Sequence, residues 1–118
     1  MAKILTGRKI LIVEDDYLLA QVLADMLEEA GADIIGTVGW LAEALAIATD
    51  RQTQFDTAIL DINLHEQETY AVADLLTERG VKVLFCTGYS TIRAEYQHYP
   101  RCIKPFRVQA LLAALVKE

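Results

Sequence analysis

The chain has 118 residues, of which 53% are apolar and 24% charged, and its 17 acidic and 11 basic side chains give a formal net charge of -6. That length fits one domain over residues 1–118, and the apolar content excludes disorder. The acidic balance argues against nucleic acid as a direct partner, because phosphate backbones select faces rich in Lys and Arg.

No apolar run approaches the roughly 20 residues that span a bilayer. The first nine residues carry neither a long apolar stretch nor a small-residue cleavage site, so no membrane partner and a cytoplasmic location are expected. Cys86 and Cys102 do not make a secreted disulfide framework and are expected as reduced core thiols on adjacent strands.

Taken in order, Lys9–Val13 is a short β-branched run of the kind buried on both faces of a sheet, and it runs into Glu14, Asp15 and Asp16. The spacing of Leu18, Leu19, Val22, Leu23, Met26 and Leu27 predicts a helix over 17–30, stopped by Gly31. Asp33–Val38 reads as the second strand and Leu41–Asp50 as the second helix, with Trp40 packing at its start. Thr57–Leu60 is the third strand and runs into Asp61.

Thr69–Glu78 is the third helix, closed by Gly80. Val81–Cys86 is the fourth strand and leads to Thr87 and Gly88. Thr91–Gln97 is only weakly helical. Arg101–Ile103 is a minimal fifth strand leading to Lys104 and Pro105, and Phe106–Val116 is the last helix.

Five βα units with right-handed crossovers predict an α/β fold: a doubly wound, five-stranded parallel sheet of order 2-1-3-4-5 with helices on both faces. Such sheets bind ligands beyond the carboxyl ends of their strands, at a switch in strand order. The residues found there are Glu14, Asp15 and Asp16, then Asp61, Thr87 and Lys104. Crowded carboxylates need a cation or raised pKa values, and oxygen-only ligands suit Mg²⁺. A carboxylate such as Asp61 can attack phosphorus to give an acyl phosphate. Lys104 and the Thr87 hydroxyl are suited to hold phosphoryl oxygens.

These residues resemble the receiver domain of two-component response regulators, over nearly the whole chain from Lys9 to about Val116. Val13-Glu14-Asp15 matches the acidic pair and Leu60-Asp61-Ile62-Asn63-Leu64 the phosphoacceptor segment. Phe85-Cys86-Thr87-Gly88 matches the switch threonine and its small follower, and Ile103-Lys104-Pro105-Phe106 the Lys-Pro-Phe signature.

The resemblance implies the flavodoxin-like receiver fold. It implies Mg²⁺, with Mn²⁺ as a substitute, held by Glu14, Asp15, Asp61 and the Asn63 backbone carbonyl. Asp61 would be the phosphoacceptor, served by a histidine kinase or phosphotransfer protein. Thr87 and Lys104 would be the residues that draw toward the phosphoryl group, moving a helix-four to helix-five face that controls a downstream protein. Such a chain catalyses only its own phosphoryl transfer and autodephosphorylation.

Phe85-Cys86-Thr87-Gly88-Tyr89-Ser90 is similar to the FAT GUY motif of a subset of mostly single-domain alphaproteobacterial receivers associated with stress-response phosphorelays. Cys86 replaces its usual alanine, and Val83 stands where proline is common.

Arg101 occupies the family's usual aromatic switch position, three residues before the lysine, so Tyr89 is the expected substitute for that coupling. The loop Leu64-His65-Glu66-Gln67-Glu68 lacks the family's usual proline and glycine. Asn63 and Tyr89 stand where receivers tune dephosphorylation. Arg93, Glu95, Tyr96 and Arg107 are expected on the partner-facing surface.

Blander roles compete for the same residues. Asp16 is expected as a helix N-cap that can also contact metal-bound water, and His65 and His98 as exposed loop histidines. Two other functions fit less well. In an aspartyl-nucleophile phosphatase of the haloacid dehalogenase type, Asn63 would stand where an acid/base aspartate is needed. A receiver-like binding module that never takes phosphate has to leave the acid, Thr and Lys set without a role, and no Gly-rich phosphate loop occurs. With nothing following the last helix, no output domain is expected in this chain.

Overall fold

A computed structural model describes residues 3–88 and 92–116. The chain runs β1 (Lys9–Val13), α1 (Tyr17–Glu29), β2 (Asp33–Val38), α2 (Leu41–Thr49) and β3 (Thr57–Leu60). A two-stranded hairpin follows, β4 (Asn63–Leu64) and β5 (Gln67–Glu68). The remaining elements are α3 (Tyr70–Glu78), β6 (Lys82–Thr87), a 3₁₀ turn at Ala94–Tyr96, β7 (Arg101–Ile103) and α4 (Val108–Val116). The main sheet has the order β2-β1-β3-β6-β7 and all its pairs are parallel. With the hairpin set aside, this is the predicted 2-1-3-4-5.

Because side chains alternate along a strand, each central strand feeds two cores. Leu11, Val13, Ala58, Leu60, Val83 and Phe85 pack with Ala44 and Ala48 of α2 and Val72, Ala73 and Leu76 of α3. Ile10, Ile12, Ile59, Leu84 and Cys86 pack with Leu23 and Leu27 of α1 and Leu111 and Leu115 of α4. The central strands are therefore apolar at almost every position, as a sheet covered on both faces requires.

The helix ends follow from local chemistry. Asp16 caps α1, its carboxylate accepting from the Leu19 N–H at 3.1 Å. Past α1 the chain turns at Gly31 with φ +105, where a Cβ would also lie 2.8 Å from Lys3 Cβ and Thr6 Oγ1, so only glycine fits. Boundaries elsewhere move by one or two residues. Thr69 and Asp50 are caps, β6 takes in Thr87, and α4 starts at Val108 instead of Phe106.

Two regions differ from expectation. The expected fourth helix is absent from the described residues, and with it the helix-four part of the expected switching face: only the 3₁₀ turn Ala94–Tyr96 stands between β6 and β7. Pro100 blocks a helix from running on toward β7. Tyr96 stacks on Tyr70 (ring centroids 4.4 Å apart), and Tyr99 meets Phe85 edge-on at 5.4 Å. These contacts hold the segment flat against α3 and the sheet. Tyr89 lies outside the described residues.

The β4–β5 hairpin was not expected. His65 and Glu66 form its two-residue turn with φ +47 and +68, as a type I′ turn demands, yet without the Asn or Gly that usually signals one.

The sheet edges are β2 and β7. The β1–β2 register shifts between Ile10 and Leu11. β7 has only three residues, and Arg101 and Ile103 are exposed beside a buried Cys102.

Candidate functional site

Register brings the site together. Val13 pairs with Leu60 and Leu60 with Phe85, so the residues just past these positions emerge side by side at the carboxyl edge of the sheet. Backbone hydrogen bonds continue the ladder past the strand ends, from Glu14 N–H to Val38 C=O and from Asp61 N–H to Val13 C=O, both at 2.9 Å. Cys86 pairs with Cys102 and Thr87 with Ile103, and both thiols are free and buried, as expected. The next N–H, that of Lys104, donates to the Thr87 carbonyl at 2.7 Å. Thr87 is wholly buried.

Glu14, Asp15 and Asp61 each offer a carboxylate oxygen within 4.8 Å of the other two. Lys104 reaches across them, its Nζ 2.9 Å from Asp61 Oδ2 and 2.5 Å from Glu14 Oε1. Glu14 Oε2 accepts from the Asp16 N–H at 2.9 Å. Asp61 Oδ1 accepts from the Asn63 N–H at 3.2 Å.

Burial pushes the Glu14 carboxyl up to about 6 against the opposing pull of Lys104, and the neighbouring Asp61 charge adds to the rise. Partial burial of Asp15 also works against its ionisation. Hydrogen bonding led by the His65 N–H outweighs that burial, and Asp15 stays below the usual aspartate value. Burial would lower Lys104, but its bonds to Glu14 and Asp61 win and raise it.

Asp15, Asp61 and Lys104 open onto a cavity of about 550 Å³ lined also by Asn63, His65, Glu66 and Gly88. Three carboxylates with no nitrogen or sulfur donor among them make an all-oxygen set, which fits a hard divalent cation such as Mg²⁺.

The structure therefore gathers Glu14, Asp15, Asp61, Asn63, Gly88 and Lys104 at one place, with the buried Thr87 just before Gly88 and the exposed Pro105 just after Lys104. Asp16 serves as the N-cap and also fixes Glu14 through its N–H. Arg101 is exposed at the edge of the sheet. Arg93 and Tyr96, expected to face a partner, are engaged within the molecule. Arg93 pairs with Glu68 and lies over the Tyr70 ring, and Tyr96 donates to Asp74 at 2.8 Å.

Three contributors escaped the sequence. Thr69 is wholly buried and its hydroxyl donates to the Asp61 carbonyl at 2.7 Å, which fixes the loop after β3. A Cβ on Gly39 would meet the Glu14 carbonyl at 3.3 Å. Trp40 stacks on His65. The sequence marks Thr69 only as the first residue of the third helix and Trp40 only as packing at the start of the second, and neither reading points to the site.

The doubly wound sheet with an acidic, lysine-crossed pocket at its switch point defines a class of signalling domain. The chain belongs to the response regulator receiver domain family, which matches residues 10–115, and is thus a receiver domain of two-component signalling.

Among solved structures it is similar to SdrG from Sphingomonas melonis Fr1, at 36% identity and TM-score 0.81 over 95% of this chain and 94% of that one. It is also similar to TrrA from Thermotoga maritima in complex with Mg²⁺ and BeF, at 25% identity and TM-score 0.78 over 92% and 96%. A curated relative, the transcriptional regulatory protein PdtaR of Mycobacterium tuberculosis, is 28% identical over 92% of this chain and 55% of its own length. A protein-glutamate methylesterase/protein-glutamine glutaminase of Halobacterium salinarum is 30% identical over 72% of this chain and 24% of its own length. The chain thus spans about a quarter to a half of the curated relatives it matches. Among the described residues no helix is long and apolar enough to cross a membrane.

Proposed function

We propose that this receiver takes a phosphoryl group on Asp61 from a phosphohistidine of a histidine kinase or phosphotransfer protein. The reading rests on one observation: three carboxylates within 4.8 Å of one another and a lysine ammonium 2.9 Å from Asp61 Oδ2. An Asp61 carboxylate oxygen attacks phosphorus, the P–N bond to the donor imidazole breaks with its electron pair staying on that nitrogen, and the nitrogen takes up a proton from solvent so that neutral imidazole leaves. Glu14, Asp15, Asp61 and the Asn63 carbonyl would hold Mg²⁺, or Mn²⁺ in its place. The metal supplies positive charge that offsets the crowded carboxylates and the phosphoryl oxygens.

Lys104 balances the Glu14 and Asp61 charges, and its ammonium follows the negative charge to the phosphoryl oxygens, joined there by the Thr87 hydroxyl. Better phosphoryl contacts in one of two arrangements shift the population toward it. The surface that then changes is formed by the 3₁₀ turn, β7 and α4, where a downstream protein is controlled. On this reading the chain turns over no substrate besides its own aspartyl phosphate. SdrG, 38% identical over 92% of this chain, has been solved in a BeF₃-activated conformation, and that relative supports the reading.

The test is incubation with MgCl₂ and acetyl phosphate, read by intact mass, with Asp61→Asn alongside. Labelling should need both Mg²⁺ and Asp61. A folded protein that takes no label and binds no beryllofluoride is a binding module instead.

A further inference from the structure

The hairpin after β3 adopts a conformation its sequence does not favour. His65 and Glu66 both occupy the left-handed region, at φ +47 and +68, which costs an L-residue roughly 1–2 kcal/mol. Two contacts compensate, and both involve His65. Its imidazole stacks on the Trp40 indole, with centroids 3.7 Å apart and planes 17° from parallel. Its backbone N–H donates to Asp15 Oδ2 at 2.9 Å. Trp40 belongs to neither strand nor helix but stands at the N-cap of α2 with no side-chain capping bond, and 55% of it is exposed. An aromatic so placed adds little to either core. Its ring contact is with the residue that fixes Asp15.

We propose that Trp40 is a positioning residue for the acidic pocket. By stacking on His65 it holds the left-handed turn, and the turn holds Asp15 Oδ2 through the His65 N–H. The Asp15 carboxylate is thereby kept beside Glu14 and Asp61, and Asn63, two residues before His65, is kept at the pocket wall. The inference rests on the Mg²⁺-dependent reading above. Outer partners that orient a metal ligand typically contribute 10- to 100-fold in affinity, and an aromatic acting one step further out belongs at the lower end of that range.

The experiment is a titration of the full chain with MgCl₂ alone, followed by ¹H–¹⁵N spectra, with urea midpoints recorded in parallel. Trp40→Ala should weaken Mg²⁺ binding on the order of tenfold and shift the His65 amide signal, while the urea midpoint moves little because Trp40 is mostly exposed. Trp40→Phe, which restores a stacking ring, should bind within about twofold of wild type. His65→Ala keeps the N–H but loses the stack, and should match Trp40→Ala without adding to it in the double variant. Wild-type binding with an unchanged constant in Trp40→Ala overturns this inference alone. A wild type that shows no Mg²⁺ binding overturns it together with the phosphoacceptor reading.

Discussion

The two halves of the site are built by different means. The acidic half, Glu14, Asp15 and Asp61, stands at the ends of central strands. Its main chain continues the sheet ladder, and each carboxylate accepts a backbone N–H from Asp16, His65 or Asn63. The half that begins at Thr87 also has a buried strand end, but beyond Gly88 the described chain offers one short 3₁₀ turn. That turn is held by side chains: the packed rings of Tyr70, Phe85, Tyr96 and Tyr99, and hydrogen bonds that pair Tyr96 with Asp74 and Tyr99 with Thr77. Backbone hydrogen bonds that extend a sheet ladder are anchored in the main chain, whereas packed rings and exposed side-chain hydrogen bonds can change rotamer and re-pair. One half is suited to hold charge in place and the other to rearrange when that charge changes.

Four substitutions can break or sharpen this contrast. The largest expected effect is that of Tyr70→Ala. It removes a buried ring touching Phe85, Tyr96 and Arg93 and should cost about 3–5 kcal/mol in urea unfolding. If the halves are independent, the Mg²⁺ constant of the folded variant stays put, and a large loss of affinity would break the comparison.

Next is Lys104→Met, which leaves Glu14 and Asp61 facing each other without their cation. About 3 kcal/mol of stability should be lost in metal-free buffer at pH 7.5, and MgCl₂ should restore more of it than it adds to wild type.

Glu14→Gln tests the same charge by pH. Burial raises Glu14 from 4.5 to about 6, so the folded protein holds this proton more tightly than the unfolded one. The wild type therefore loses stability as pH rises through the window from 4.5 to 6. In EDTA the Gln variant should gain on wild type across that window by about 2 kcal/mol and then level off. A flat difference would show that Lys104 fully offsets the burial.

The smallest effect is expected for Arg93→Ala. Its pair with Glu68 is about half exposed on both sides and its guanidinium lies over the Tyr70 ring, so about 1 kcal/mol is at stake. The shift should appear in amide signals of the hairpin more than in the unfolding midpoint.

Much of this architecture can be read from the residues. Continuous apolar runs ending in Glu14, Asp61, Thr87 and Lys104 mark buried strands and what stands at their ends, and helical spacing marks α1, α2 and α4. What could not be read depends on contacts distant in sequence or on unusual backbone. Nothing in Leu64-His65-Glu66-Gln67 announces a type I′ turn, because the stabilising partner is Trp40, 25 positions earlier. The apolar spacing of Ile92, Tyr96 and Tyr99 is compatible with a helix, yet the rings are taken up by α3 and the sheet. Thr69 reads as the start of a helix, and only the fold reveals that its hydroxyl donates to the Asp61 carbonyl.

The sheet's two margins bear on how the molecule behaves in a crowd. An open parallel sheet leaves two rows of unpaired amides, and a long flat row is a template on which other chains can aggregate. Here β2 carries one extra residue, Ile35, between the partners of Ile10 and Leu11 on β1, a bulge that twists the strand and makes its free margin a poorer template. The β7 margin is three residues long, carries an outward arginine and is bracketed by Pro100 and Pro105, which have no N–H to offer. Margins of this kind, one bulged and one short and proline-bracketed, work against the edge-to-edge strand addition that an open sheet otherwise invites.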